Sequence, residues 1–252
     1  MISINLTYYN EPIWFRYWYN IFKKFHHNGA NIRLNICDDG SQKQPISYFF
    51  EKNPPFPNMR LFKVKEDIGF NSHGARNLLM QQTQTEWNLM TDIDRHYPLK
   101  TLYSIIEEES INNLKKGMYY SLKELTRSSK DGFSINEYVA SRTDFWKTGG
   151  YDEEFTNIHW GDRYFLDTLN YVAKRKTKKN WEVRYVRHAR NVTYQDIPIT
   201  QYPDDNSLIH PTKIWVDQET RHGLKKLVQE RNKTHEGRMS KKVVNFDWEQ
   251  VF

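Results

Sequence analysis

Within its first 38 residues the chain reads strand, helix, strand, and this arrangement removes most folds from consideration. Ile2, Ile4 and Leu6 alternate with polar residues, the period of a strand with one apolar face. From Pro12 the pattern changes to helical spacing: Ile13, Trp14, Tyr17, Trp18, Ile21, Phe22 and Phe25 line one face, proline suits the first turn, and Asn28-Gly29 stops the helix. Ile32, Leu34 and Ile36 form a second strand that runs into the turn-forming Asp38-Asp39-Gly40-Ser41. A βαβ unit of this kind requires parallel strands and a right-handed crossover.

The alternation continues. After a proline-rich loop come a strand near Leu61 to Val64, a helix carrying Ala75, Leu78, Leu79 and Gln82, a strand from Trp87 to Met90, a helix after Pro98 and a strand around Met118 to Leu122. This predicts an α/β fold over about residues 1–125, an open Rossmann-like mixed sheet, mostly parallel and flanked by helices. Ligands of such sheets bind outside the carboxyl ends of the strands. Three predicted strand ends carry polar clusters: Tyr8 to Glu11, Asp38 to Ser41 and Asp92 to Asp94. Beyond 125 the periods weaken, with a short strand at Val139 to Ser141, a turn at Gly149-Gly150, a helix from Asp162 to Val172 and a strand from Trp181 to Val186. A loop-rich stretch, a basic helix near 217–232 and a terminal strand from Val243 to Trp248 close the chain.

Composition narrows the class. At 252 residues with 38% hydrophobic and 15% aromatic content, the chain can bury a full core and is not a disordered polymer. No apolar run approaches the ~18–20 residues of a membrane span, and no signal-peptide pattern precedes the first strand, so a cytoplasmic protein is expected. A single cysteine, Cys37, excludes an internal disulfide framework and a cysteine-cluster zinc site. The net charge of +6 is unevenly placed: residues 1–173 hold 20 basic against 21 acidic residues, whereas 174–190 hold 8 against 1 and 221–242 hold 8 against 2. The motifs lie in the balanced part, and no nucleic-acid module accompanies the basic excess, so nucleic acid is not the expected partner.

Four motifs carry chemistry. Asp92-Ile93-Asp94 follows an apolar strand, and side chains two apart on extended backbone point the same way, so two hard oxygen donors suit Mg²⁺ or Mn²⁺. A solvated acidic loop is the plainer account. Asp38 and Asp39 could accept hydrogen bonds from a base or ribose, or simply form a turn. Gly69 to Asn77 enters a helix with Arg76, which suits an anion or a surface cap; it has neither the dinucleotide fingerprint nor a Walker pattern. Asp162 opens a helix behind Trp160-Gly161, as a reactive carboxylate or as a cap.

Together and in this order the motifs resemble the GT-A fold glycosyltransferases, particularly the family-2-like group, over about residues 2–172. Tyr9-Asn10-Glu11 is similar to that family's opening motif, Asp38-Asp39-Gly40-Ser41 to its "DDGS", Gly74-Ala75-Arg76-Asn77 to its "ARN" helix start, and Gly149-Gly150-Tyr151-Asp152-Glu153 to its "GGFDE" segment. Where the family shows two adjacent acids, this chain has Gly161-Asp162. The resemblance implies a catalytic domain over 1–190, with a nucleotide half to about 125 and an acceptor half from 126, and a basic, loop-rich C-terminal extension over 191–252 packed on it. It implies transfer of a sugar from a nucleoside-diphosphate sugar, a UDP-sugar above all, to a glycan or glycolipid hydroxyl, with inversion. Tyr9, Glu11, Asp38, Asp39, Arg76 and Asp92 would bind the donor. Asp94 with Asp92 would hold Mn²⁺ or Mg²⁺, joined by His188 or, less favoured, His210. Asp162 would be the general base and Trp160 would stack on the acceptor. The basic segments then form a flank that could attract the donor diphosphate, an acidic glycan or a membrane surface.

Two other classes compete. A sugar-1-phosphate nucleotidyltransferase would need a glycine-rich loop after the first strand, and Tyr8 to Pro12 has no glycine. A catalytically inactive glycan- or nucleic-acid-binding protein on the same scaffold would account for the missing second acid and the basic segments.

Overall fold

The computed structural model describes residues 1–69, 71–125, 132–156, 161–185 and 243–252, together with residues 226 and 230. β1 (Ile2–Tyr8) pairs in parallel with β2 (Ile32–Asp38) on one side and β4 (Trp87–Asp92) on the other, and β3 (Met59–Val64) pairs in parallel with β2. α1 (Pro12–His27) covers one face. Its Phe15, Trp18, Phe22 and Phe25 share a core with Ile2, Ile4 and Leu6 of β1 and Ile32, Leu34 and Ile36 of β2. The aromatic packing extends to α2 (Ile46–Phe50), where Phe49 meets Phe15 edge to face at 5.0 Å. α3 (Ser72–Gln82) covers the opposite face, its Ala75, Leu78 and Leu79 packing on Cys37, Phe62 and Val64.

β1 alternates apolar with polar residues, and both of its faces are buried. Ser3 and Asn5, fully enclosed on the α3 side, belong to a polar network. Asn5 Nδ2 donates to Asn88 Oδ1 at 3.1 Å, Asn35 Nδ2 to Asn5 Oδ1 at 2.8 Å, and Thr83 Oγ1 to Asn88 Oδ1 at 2.8 Å. A one-residue slip of any of these strands would put amides into the α1 core, so the network fixes the register.

The rest of the sheet corrects the expectation of mostly parallel strands. After β5 (Arg95–His96) and α4 (Leu99–Ser110), β6 (Met118–Leu125) and β7 (Gly132–Ser141) pair antiparallel. β7 then docks antiparallel on β4, so the returning strand lies between β4 and β6. β8 (Lys174–Tyr185) pairs in parallel with β6 and antiparallel with β5. α5 (Arg142–Lys147) follows β7, and among the described residues the strand order, with β9 (Trp248–Gln250) at its end, is β5-β8-β6-β7-β4-β1-β2-β3-β9, with four parallel and four antiparallel pairings. The sheet is therefore mixed.

The terminal strand is displaced. β9 (Trp248–Gln250) pairs antiparallel with Phe62 to Val64 of β3, while Val244 turns through a φ of 56° that ordinary strand backbone does not permit. No helix among the described residues is long and apolar enough to cross a membrane. The basic helix expected near 217–232 lies outside the described residues apart from 226 and 230.

Candidate functional site

Each residue of Gly74-Ala75-Arg76-Asn77 at the start of α3 has a separate task. At Gly74 a Cβ would stand 2.6 Å from the Phe246 ring, so glycine lets the C-terminal segment cross the helix. Ala75 is the small residue that seats the helix on β2 and β3. Asn77 clamps the Gly149-Gly150-Tyr151 turn: its Oδ1 accepts from Tyr151 N at 2.7 Å and its Nδ2 donates to Tyr151 O at 2.9 Å. Gly150, with φ of 79°, is the close approach that the clamp needs, since a Cβ there would lie 2.7 Å from Asn77 Oδ1. Two motifs far apart in sequence are thus one structural unit.

That unit continues to the C-terminus. Glu153, in a short 3-10 turn (Glu153–Phe155), accepts from Asn77 Nδ2 at 2.8 Å, Val244 N at 2.6 Å and Asn245 N at 3.1 Å. Glu153→Ala removes the acceptor for all three, and an unfolding free energy lower by about 1–3 kcal/mol is expected. Urea denaturation checks it. Glu153→Gln, which keeps one carbonyl oxygen, should lose less.

Arg76 lies at the centre of the site, 1% exposed. Nη1 donates to Asp162 Oδ1 and Nη2 to Asp92 Oδ1, so the guanidinium joins the end of β4 to the start of α6 (Gly161–Val172). The antiparallel register of β4 and β7 carries Asn136 beside Asp92, and its Nδ2 donates to Asp92 Oδ2 at 2.7 Å. Burial raises the Asp92 carboxyl, but Arg76 and then Arg95 outweigh it and hold the group below the usual carboxylate range. Burial likewise opposes the charge on Arg76, and Asp92 reverses that effect, keeping the guanidinium protonated.

The Asp-x-Asp segment differs from a continuous strand. β4 ends at Asp92, Ile93 and Asp94 form a turn, and the chain resumes extended structure at Arg95. Its two carboxylates meet different cations: Asp92 is bound to Arg76, and Asp94 lies 3.9 Å from Arg95 Nε. The turn is pinned from below by Trp18 of α1, whose indole N–H donates to Ile93 O at 3.0 Å. Arg95 also contacts Glu137 at 2.9 Å and Glu124 at 3.2 Å. Burial pushes Glu137 up to about 8, against the pull of Arg95.

Asp92, Asp94, Asp162 and Glu124 thus gather around Arg76 and Arg95 at a strand end. Carboxylate oxygens are hard donors of the kind that suits Mg²⁺ or Mn²⁺. Among the described residues no group of three or more His, Cys, Asp or Glu side chains is arranged to hold a metal. Asp94 and Asp92 are the donors such an ion would use, with substrate oxygens completing its shell.

The ends of β1, β2 and β3 meet on the other side. Asn10, at φ 53°, receives Lys43 N at 3.1 Å and Gln44 N at 2.8 Å on its Oδ1, while its own N–H donates to Ser41 Oγ at 2.9 Å. Gly40, at φ 75°, admits the Glu66 carbonyl, which would lie 2.8 Å from a Cβ. Asp38 accepts from Ser41 N at 2.9 Å and Ile46 N at 3.0 Å, so both its oxygens help hold the loop together. Asp39 Oδ2 accepts from Asn71 N at 3.0 Å. The Tyr9 hydroxyl donates to Asp67 Oδ2 at 2.8 Å, and burial together with Asp67 pushes the phenol up to about 12. Glu11 occupies the N-cap of α1, half-buried.

Arg76, Asp92 and Asp162 are therefore brought into one cluster, with Asp94 beside it through Arg95. Trp160, His188 and His210 lie outside the described residues. Sequence reading missed Asn136, Arg95, Glu137, Asp67 and His73. His73 stands inside the Gly69 to Asn77 segment without having been assigned a role, the other four lie outside the motifs, and the pairing of β7 with β4 that delivers Asn136 has no local signature.

No protein family and no curated protein matches the sequence. Solved structures of S. aureus TarS share the fold. The form spanning residues 1–349 aligns with a TM-score of 0.57 at 13% identity, over 73% of this chain and 59% of that one. The same form in complex with UDP gives 0.58 at 12% identity, again over 73% and 59%. The complex with UDP-GlcNAc gives 0.55 at 14%, over 71% and 58%. The chain thus spans somewhat under two thirds of these TarS structures.

Proposed function

We propose that the chain is a metal-dependent glycosyltransferase that moves a sugar from a nucleoside-diphosphate sugar, with UDP as the nucleotide, to a hydroxyl of a glycan or glycolipid. The observation that carries this reading is the convergence of Asp162, Arg76 and Asp92 at the carboxyl end of β4, in a fold shared with proteins solved with UDP and UDP-GlcNAc.

Asp162 accepts the proton of the acceptor hydroxyl as that oxygen attacks the anomeric carbon. The bond from that carbon to the diphosphate oxygen breaks, its electron pair leaves with the diphosphate, and one-sided attack inverts the centre. A general base of this kind contributes about 10²–10⁴ in rate. Asp94 and Asp92 hold Mn²⁺ or Mg²⁺, which when bound supplies Lewis-acid stabilisation of the departing diphosphate. Tyr9, Glu11 and Asp39 stand on the nucleotide side, and Arg76 sets the geometry between the two halves. Trp160 stacks on the acceptor, and His188 is the candidate for a further metal contact. The basic segments 174–190 and 221–242 would draw an acidic glycan or an anionic membrane surface by their charge, and the reaction is proposed for the cytoplasm.

Thermal unfolding with UDP, with Mn²⁺ and with both tests this reading. Ligand at 100 times its dissociation constant stabilises by about 2.7 kcal/mol, a rise in midpoint of several degrees. The combined rise should exceed the sum of the separate ones, and Asp94→Ala should lose that excess while keeping the response to UDP alone. A chain that responds to polyanions and never to UDP is the inactive binding protein instead. Hydrolysis of a panel of nucleotide-sugars with Mn²⁺ then identifies the donor.

A further inference from the structure

The single acid at the start of α6 has a neighbour inside the Gly69 to Asn77 segment, three residues before Arg76. His73, the second residue of α3, is 1% exposed, and its Nε2 lies 3.9 Å from Asp162 Oδ1. Its imidazole rests directly against the backbone of Gly161. A Cβ at 161 would fall within 2.5 Å of Cε1 and closer still to Nε2, and real side chains do not tolerate such contacts. The ring is held on its other sides by Tyr151, at 5.5 Å between centroids, and Phe155, at 6.2 Å. Tyr151 in turn stacks on Phe165 of α6 at 3.9 Å. The imidazole therefore cannot turn away, and the space a side chain at 161 would need is already filled.

We propose that His73 is the positioning residue of Asp162, occupying from α3 the place that a second acid at position 161 would take. This rests on the transferase reading and deepens it. Arg76 and His73 both approach Oδ1 of Asp162, which assigns the acceptor proton to Oδ2. At 3.9 Å the Nε2 contact is longer than a hydrogen bond. It tightens when donor and acceptor close the site, as catalytic hydrogen bonds of ligand-free enzymes commonly do. Held from two sides, the carboxylate keeps its orientation while the proton moves, and misplacement by about 1 Å costs on the order of 10² in rate. The glycine at 161 is then the complement of a histidine at 73 rather than a defect in the site.

The test uses the full chain with Mn²⁺, a panel of UDP-sugars that includes UDP-GlcNAc as probes and water as acceptor, and follows UDP release from the sugar turned over fastest. His73→Ala should lower kcat by about 10- to 100-fold, with the donor KM and the UDP-induced thermal shift unchanged. His73→Gln, which restores a side-chain nitrogen donor, should recover most of the loss. Gly161→Ala should lower kcat by displacing the ring, and His73→Ala added to it should cost far less than the product of the two single losses, because the clash is gone. The inference is overturned if His73→Ala keeps its kcat, or if kcat falls only in step with the thermal midpoint and His73→Gln recovers nothing. Asp162→Asn separates the two levels. If it is inactive while His73→Ala is not impaired, the inference alone fails. If it turns over like the wild type, or the wild type does not turn over, the transferase reading fails and takes the inference with it.

Discussion

Asp162→Asn is expected to reduce sugar transfer by about 10²–10⁴ while the protein stays folded and binds UDP with unchanged affinity. Asparagine has the shape of aspartate, and its carbonyl oxygen still accepts from Arg76 Nη1, the contact that ties α6 to α3. What it lacks is a basic oxygen for the acceptor proton. The acid also sits in the first turn of α6, where a negative charge contributes about 0.3–1 kcal/mol by its interaction with the helix dipole. A thermal midpoint only slightly below that of the wild type is therefore expected. Steady-state kinetics at saturating donor, set beside UDP binding by calorimetry, measure both halves. A variant that keeps its kcat removes Asp162 from the chemistry, and one that loses UDP binding makes it a donor ligand instead.

Arg76→Leu is expected to be the most damaging single change to the fold, lowering stability by about 3–5 kcal/mol. The leucine fits the volume of the aliphatic stem but leaves Asp92 and Asp162 facing each other without the cation between them. Arg76→Lys should recover little, because one ammonium cannot span two carboxylates that the planar guanidinium contacts with separate nitrogens. The loss has a pH signature. Arg76 helps hold Asp92 below its ordinary range in the folded protein, so its contribution is present at pH values above the unfolded carboxyl's pKa and disappears as pH falls through the folded one. Wild type and variant should accordingly differ most at neutral pH and converge as pH falls below about 4. Urea denaturation at pH 7 and at about pH 2 tests this, on either side of the window between the unfolded and the depressed folded carboxyl, and a difference that stays constant with pH would assign the loss to packing alone.

The sequence carried the first half of the fold because its signals are local. The alternation in β1, the aromatic stripe of α1 and the turn at Asp38 to Ser41 each depend on neighbours within a few residues, and the structure reproduces all three. β8 was seen only from Trp181 because Lys174 to Lys179 has no apolar alternation. It is extended because its backbone pairs with β6, its first residues staying in solvent. β5 is two residues long and exists only through Arg184 and Tyr185. The motifs led to Arg76, Asp92 and Asp162 as one cluster, but the partners that orient them come from pairings across the sheet. Asn136 reaches Asp92 through β7, and His73 reaches Asp162 from the turn before Arg76. Asp38 has a structural task that its motif does not spell out, since its two oxygens accept from Ser41 N and Ile46 N and hold its own loop.

The antiparallel contact of β9 with β3 bears on how the chain is made. β1 to β4 and the helices between them are complete once residue 92 has left the ribosome, whereas the strand that covers β3 begins 156 residues further along, at Trp248. At about 5–20 residues per second, the outer edge of β3 waits roughly 10–40 s for its partner. Throughout that interval Met59 to Val64 offers an open row of amides and carbonyls to any other nascent strand. The vulnerable moment of this protein is therefore during synthesis, and its soluble yield should depend on how quickly residues 248–250 find β3.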